Sequence, residues 1–194
     1  MLIREIKVEL VNIILDRIGD NGLLNYAIRN RDPRLCMVLA AEALVGVQEE
    51  TGKNDGEIIR LIQETVGDAR GEPYCIGGIM SCIAFAEAVT GIKSPIKATE
   101  HARTLFATST ISERVKKIPL PGAIALWGDR GKYTGHGEIV KAADEKKMHC
   151  IGFNTYGATS PDGPVEREGN GIYYTVRSYE STASRVFLGC IKPF

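Results

Sequence analysis

Apolar residues recur at three- and four-residue steps in the first half of the chain and alternate with polar ones in the second. Residues 2–19 carry Ile3, Ile6, Val8, Leu10, Val11, Ile14, Leu15 and Ile18, mostly at helical spacing. Asp20-Asn21-Gly22 is a stop signal. A second helix is predicted from Pro33 to about residue 50, with Asp32 as N-cap and Pro33 in the first turn. Residues 51–56 read as a loop and 57–66 as a third, short helix. A strongly apolar helix then runs from Cys75 to about Val89, closed by Gly91. Its inward stripe is Ile79, Cys82, Ile83, Ala86 and Val89 or Thr90, with Cys75 one turn earlier on the same stripe. After Pro119-Leu120-Pro121-Gly122 the pattern changes to strands at 123–127, 136–142, 148–154, 172–179 and 185–191. Helices followed by strands predict an α+β fold: an antiparallel sheet of about five strands packed against N-terminal helices on one side.

A chain of 194 residues fits one domain of ordinary size, and residues 1–30 read as a helical appendage to a main domain over 31–194. Lysine and arginine number 24, as do aspartate and glutamate. That balance argues against nucleic acid as the main ligand, although a neutral total can hide a basic face. The five cysteines, at 36, 75, 82, 150 and 190, are odd in number and form no CxxC pair. They predict neither a disulfide framework nor a zinc site, and free thiols point to folding in a reducing compartment. The first twenty residues alternate apolar and charged positions, unlike a signal peptide. No apolar run reaches the roughly 18–20 residues that span a bilayer. A soluble product made in the cytoplasm, without membrane insertion, is expected.

Cys36, Cys82, Cys150 and Cys190 sit in apolar stretches and read as small core residues. Cys75 differs. Pro73 disfavours helix just before itself, so the chain should enter the helix abruptly near Tyr74. Cys75 would then lie in the first turn, where unpaired N–H groups and the helix dipole stabilise a thiolate and can receive an oxyanion. Gly77 and Gly78 follow, as expected if a substrate backbone comes close. A thiol nucleophile needs a base. Of the three histidines, His101 falls in a polar helical stretch and His149 beside Lys146 and Lys147, both solvated settings. His136 sits between Gly135 and Gly137 at a strand start and is the candidate base. Two residues compete to orient it: Asn154, expected opposite His136 across a hairpin turning near residues 144–147, and Glu138, on the same face of the same strand.

The order of cysteine at a helix start, Gly-His-Gly at a strand start and asparagine on the next strand resembles the CHAP amidase/peptidase family. That family belongs to the papain-like group with the NlpC/P60 peptidases. The resemblance covers roughly residues 40–190: the lead-in Val45-Gly46-Val47-Gln48-Glu49, the motif Glu72-Pro73-Tyr74-Cys75, the pre-strand Pro121-Gly122-Ala123-Ile124-Ala125-Leu126-Trp127, and the His136 and Asn154 motifs. It implies a peptidoglycan hydrolase over 31–194 that cuts an amide of the stem peptide. Cys75 would be nucleophile, His136 base and Asn154 orienter, with no metal or organic cofactor. The cleaved bond would be the N-acetylmuramoyl–L-alanine amide or a peptide bond, and a papain-like protease or deamidase with a non-wall substrate is the alternative. A single catalytic domain of this kind resembles a monomeric phage endolysin that reaches the wall after holin-type release. Two departures stand out. The acidic residue that many CHAP domains carry two places before the asparagine is Gly152 here, and Tyr74 replaces the usual glutamine or tryptophan before the cysteine. Tyr74 either lends its hydroxyl to the oxyanion hole or walls the groove. Trp127 is a groove wall or a core residue, and Tyr133, Tyr156 and Tyr173 are further candidates for substrate contact. Asn54, Asp55 and Glu57 lack the acid spacing of a calcium loop and read as a solvated turn.

Overall fold

The computed structural model describes residues 5–110, 113–115, 117–158 and 166–194, with residues 166–169 as backbone only. Six helices come first among them: α1 (Val8–Ile18), α2 (Gly22–Arg29), α3 (Pro33–Leu44), α4 (Glu57–Val66), α5 (Cys75–Thr90) and α6 (Ala102–Thr108). Six strands follow: β1 (Arg114–Val115), β2 (Ile124–Asp129), β3 (Gly135–Ala143), β4 (Lys147–Gly157), β5 (Glu166–Ser178) and β6 (Arg185–Ile191). They form one antiparallel sheet in the order β1-β6-β2-β3-β4-β5. The α+β class agrees with the hydrophobic pattern. The strand count is six rather than about five, because β1 is a two-residue edge pair, too short to show alternation.

Several boundaries differ for local reasons. Residues 2–4 of the first expected helix lie outside the described residues. Residues 5–7 are extended, and the Glu5 N–H donates to the Thr65 carbonyl. Asn21 both ends one helix and starts another, since its side chain accepts from the Leu23 N–H at 2.8 Å and caps α2. Helix α3 stops at Leu44 instead of running to about 50. Gly46 takes a left-handed φ of 84°, and the chain beyond it pairs with β5 through Gly46 to Ile172 and Glu49 to Asn170. Helices α1 and α2 place Leu10, Ile14, Leu24 and Ala27 in the same apolar core as α3, α4 and α5.

Helix α5 runs through the centre, and all residues from Cys75 to Glu87 are buried rather than a single stripe. Its glycines make this possible. A Cβ on Gly78 would lie 2.1 Å from the Phe153 ring, and one on Gly77 would touch Ile62 and Val66. The expectation that these glycines admit a substrate backbone is corrected: they admit β4 and α4. A smaller cluster of Ala123, Ala125, Trp127, Val140, Met148, Cys150 and Cys190 covers the other face of the sheet. No helix among the described residues is long and apolar enough to cross a membrane.

Candidate active site

Cys75 is the first residue of α5 and is nine-tenths buried. Tyr74, just outside the helix, offers no side-chain cap, and the first helical bond runs from the Gly78 N–H to the Tyr74 carbonyl at 2.9 Å. The N–H groups of Cys75, Ile76 and Gly77 therefore stand at the positive end of a sixteen-residue helix beside the thiol. The Tyr74 side chain takes neither expected place. It is wholly buried and its hydroxyl donates to Glu49 at 3.3 Å, so it neither faces an oxyanion nor walls a groove. Burial and the Glu49 charge hold its phenol well above the usual range.

His136 opens the buried part of β3, paired with Trp127 on β2. Strand alternation turns Gly137 and Ile139 toward α5 and His136, Glu138 and Val140 to the other side. A Cβ on Gly137 would lie 2.8 Å from Ile76, so the glycine lets α5 approach. The imidazole meets the Cys75 thiol within hydrogen-bonding reach, and its Nε2 lies 3.1 Å from Glu138 Oε1, which leaves Nδ1 for the thiol. Burial disfavours a charged imidazole, but the hydrogen bonds and charges of Cys75 and Glu138 outweigh it and push the pKa up to about 9. The Trp127 ring lies 6.5 Å from the imidazole, tilted by 33°, and is backed by Phe187 at 5.6 Å. Trp127 thus belongs to the second apolar cluster and shields His136 as well.

Glu138 is fully buried and fully partnered. Its carboxylate takes the imidazole, the Thr175 hydroxyl at 2.6 Å and the Arg177 guanidinium at 2.5 and 3.0 Å. Burial alone would raise its pKa, but His136 and Arg177 bring it down to about 2. Glu138 pairs with Gly152 across β3 and β4, and a Cβ on Gly152 would lie 2.8 Å from Glu138 Oε1. The carboxylate occupies the space that a side chain at position 152 would need.

Asn154 goes elsewhere. The β3–β4 register that pairs Glu138 with Gly152 would, if continued, bring Asn154 opposite His136, as the hairpin reading expected. At Asn154, however, φ is 51°, and its amide donates to Asn54 at 2.7 Å and to Glu49 at 3.3 Å. It joins the part-buried Glu49–Tyr74 network. The oxygen that meets the imidazole is that of Glu138.

The remaining candidates separate clearly. Tyr173 is a core residue bonded to Gln48 and Asn170, and Tyr156 is exposed beneath Arg177. Tyr133 is exposed at a cavity mouth, edge-on to His101 and bonded to Thr104. His101 pairs with Glu100 at 3.2 Å, and His149 is exposed on β4. Burial pushes the thiol pKa of Cys36 up to about 11 and those of Cys82, Cys150 and Cys190 up as well, and all five cysteines are free. Asp55 accepts from the Thr51 backbone and hydroxyl. Among the described residues no group of three or more metal-ligating side chains converges.

Cys75 and His136 each line a separate cavity. One, of about 490 Å³, is lined by Cys75 with Asp68, Glu72, Glu100, His101 and Tyr133 among others. The other, of about 240 Å³, is lined by His136 with Trp127, Arg177, Glu180 and Arg185 among others. The sequence reading gave no role to Thr175, Arg177, Asp68, Glu72 or Glu100. An arginine two places after a threonine on a strand as apolar as 172–179 was the one available signal, since both face one side. The chain matches no known family model, and no curated protein or solved structure is significantly similar to it.

Proposed function

We propose that this chain is a cysteine-dependent hydrolase that cleaves an amide bond in the stem peptide of peptidoglycan. The observation that carries the chemistry is the relay from Cys75 at a helix start, through His136, to a buried and fully bonded Glu138. The choice of peptidoglycan is supported by the CHAP-like motifs at Cys75 and His136, and the lytic setting of a phage endolysin rests on that resemblance alone.

The reaction follows from the placement of the groups. The Cys75 thiolate attacks the amide carbonyl, and the N–H groups of Cys75, Ile76 and Gly77 receive the oxyanion. The His136 imidazolium gives its proton to the leaving amine as the C–N bond breaks. Water then attacks the thioester, giving one proton to His136 while the acid departs and the thiolate is restored. Glu138 fixes the ring and balances the imidazolium charge, as the carboxylate of a hydrolase triad does.

The test is incubation of purified peptidoglycan with wild-type protein and with Cys75→Ala, followed by mass spectrometry of the soluble products. Muropeptide fragments released by wild type alone, with masses that identify the bond, are expected. Release by neither protein across pH 5–9, a range chosen as roughly that of neutral-pH hydrolases, would rule out the wall substrate and favour the protease or deamidase alternative.

A further inference from the structure

The cavity lined by Cys75 and the cavity lined by His136 differ in charge. The cavity that holds Cys75 is walled by three carboxyl groups, Asp68 and Glu72 from the stretch before α5 and Glu100 from the stretch before α6. None of the described residues lining it is a lysine or an arginine. His101, which pairs with Glu100, is the basic group in the wall. Asp68 and Glu100 both line this cavity, and each disfavours the other's charge. Burial and the neighbouring Glu100 and Glu72 push Asp68 up to about 7, the behaviour of carboxyls short of positive charge. The cavity is a binding site on grounds independent of these acids, because a nucleophile nine-tenths buried in its wall has to receive its substrate there.

The direction of the substrate follows from the chemistry. His136 must protonate the leaving amine, so the cleft lined by His136, Trp127 and Arg185 takes the leaving portion. The cavity lined by Cys75 takes the acyl portion. We infer that this cavity is the acyl-side subsite for a substrate that carries a free ammonium group, held by Asp68, Glu72 and Glu100. The inference rests on Cys75 as nucleophile and narrows the proposed substrate to stem peptides whose acyl side bears an unblocked amine.

The charge of the cavity can be read without turnover. Cys75 would be converted to a mixed disulfide, with loss of methanesulfinate, by trimethylammonium-ethyl and sulfonato-ethyl methanethiosulfonate, with Cys75→Ser as background and a free small thiol as the intrinsic ratio. After that correction, the cationic reagent is expected to react about tenfold faster with wild type. In Asp68→Asn/Glu100→Gln the preference should fall toward unity. Equal corrected rates in wild type, a comparison needing no variant, overturn the inference. In parallel, wild type should release fragments from native peptidoglycan about tenfold faster than from peptidoglycan with acetylated amines. Equal rates on the two again overturn it. Failure on both forms of wall with the reagent preference intact would remove the wall substrate and leave the cationic subsite standing.

Discussion

Glu138 stands in space that Gly152 leaves open, and the imidazole depends on it. An acid at position 152 on β4 and an acid at position 138 on β3 would compete for one volume, and this chain has filled it from β3. Glu138→Gln should lower kcat/KM by roughly 10²–10⁴-fold, since it removes the charge that favours the imidazolium. It should also move the alkaline limb of the pH profile. In wild type, kcat/KM is expected to fall as pH rises through about 9, where His136 loses the proton that the leaving amine requires. In Glu138→Gln that fall should begin at lower pH. Asn154→Ala should leave the limb in place, because its amide bonds Glu49 and Asn54. Initial rates across pH for the three proteins decide this. Cys75 and His136 were legible from their neighbours, Pro73 before a helix and glycine on both sides of a strand start. Glu138 was legible only as a competitor. Asn154 misled because cross-strand register is readable from a hairpin, whereas a left-handed φ at one asparagine is not.

At the scale of elements, α5 is the piece on which the others close. Its strong apolar character was plain in the sequence, but one buried stripe was expected and the whole circumference is covered. The reason is Gly77, Gly78 and Gly137, whose missing side chains admit α4, Phe153 and α5 itself at distances no pattern of apolar spacing reports. Gly78→Ala forces a methyl into the Phe153 ring and should cost about 1–3 kcal/mol. For a chain of this length that is a fall in Tm of about 2–4 °C per kcal/mol, measurable by calorimetry. Phe153→Leu in the same chain should recover part of the loss, so the two substitutions are expected to be non-additive. Short elements were the least legible. Helix α2 hides behind Asn21, which reads as a stop, and β1 is too brief to alternate.

For the whole molecule, the buried ionisable groups set how stability varies with pH. His136 has a raised pKa in the folded state, so its contribution is complete below its unfolded value near 6.5 and is lost as pH rises through about 9. Glu138 has a lowered pKa, so its contribution is complete above about 4.5 and is lost as pH falls through about 2. Asp68, raised from 3.8 to about 7, contributes stability below about 3.8 that is lost as pH rises through about 7, because the folded chain holds a proton that the unfolded chain gives up at lower pH. Tm should therefore peak in the mildly acidic range and decline toward pH 9. Cys75→Ala, which removes one of the partners that raise His136, should flatten that decline in thermal scans.

The order of elements along the chain has a consequence for the time at which the proposed activity can arise. A ribosome delivers Cys75 and His136 well before residues 166–178, whose Thr175 and Arg177 hold Glu138 in place. A nascent chain that already displays its thiol has no anchored carboxylate behind its imidazole, and β6, which flanks β2 beneath Trp127, comes later still. The proposed hydrolase, built in this order, would stay inert until β5 and β6 close behind the imidazole.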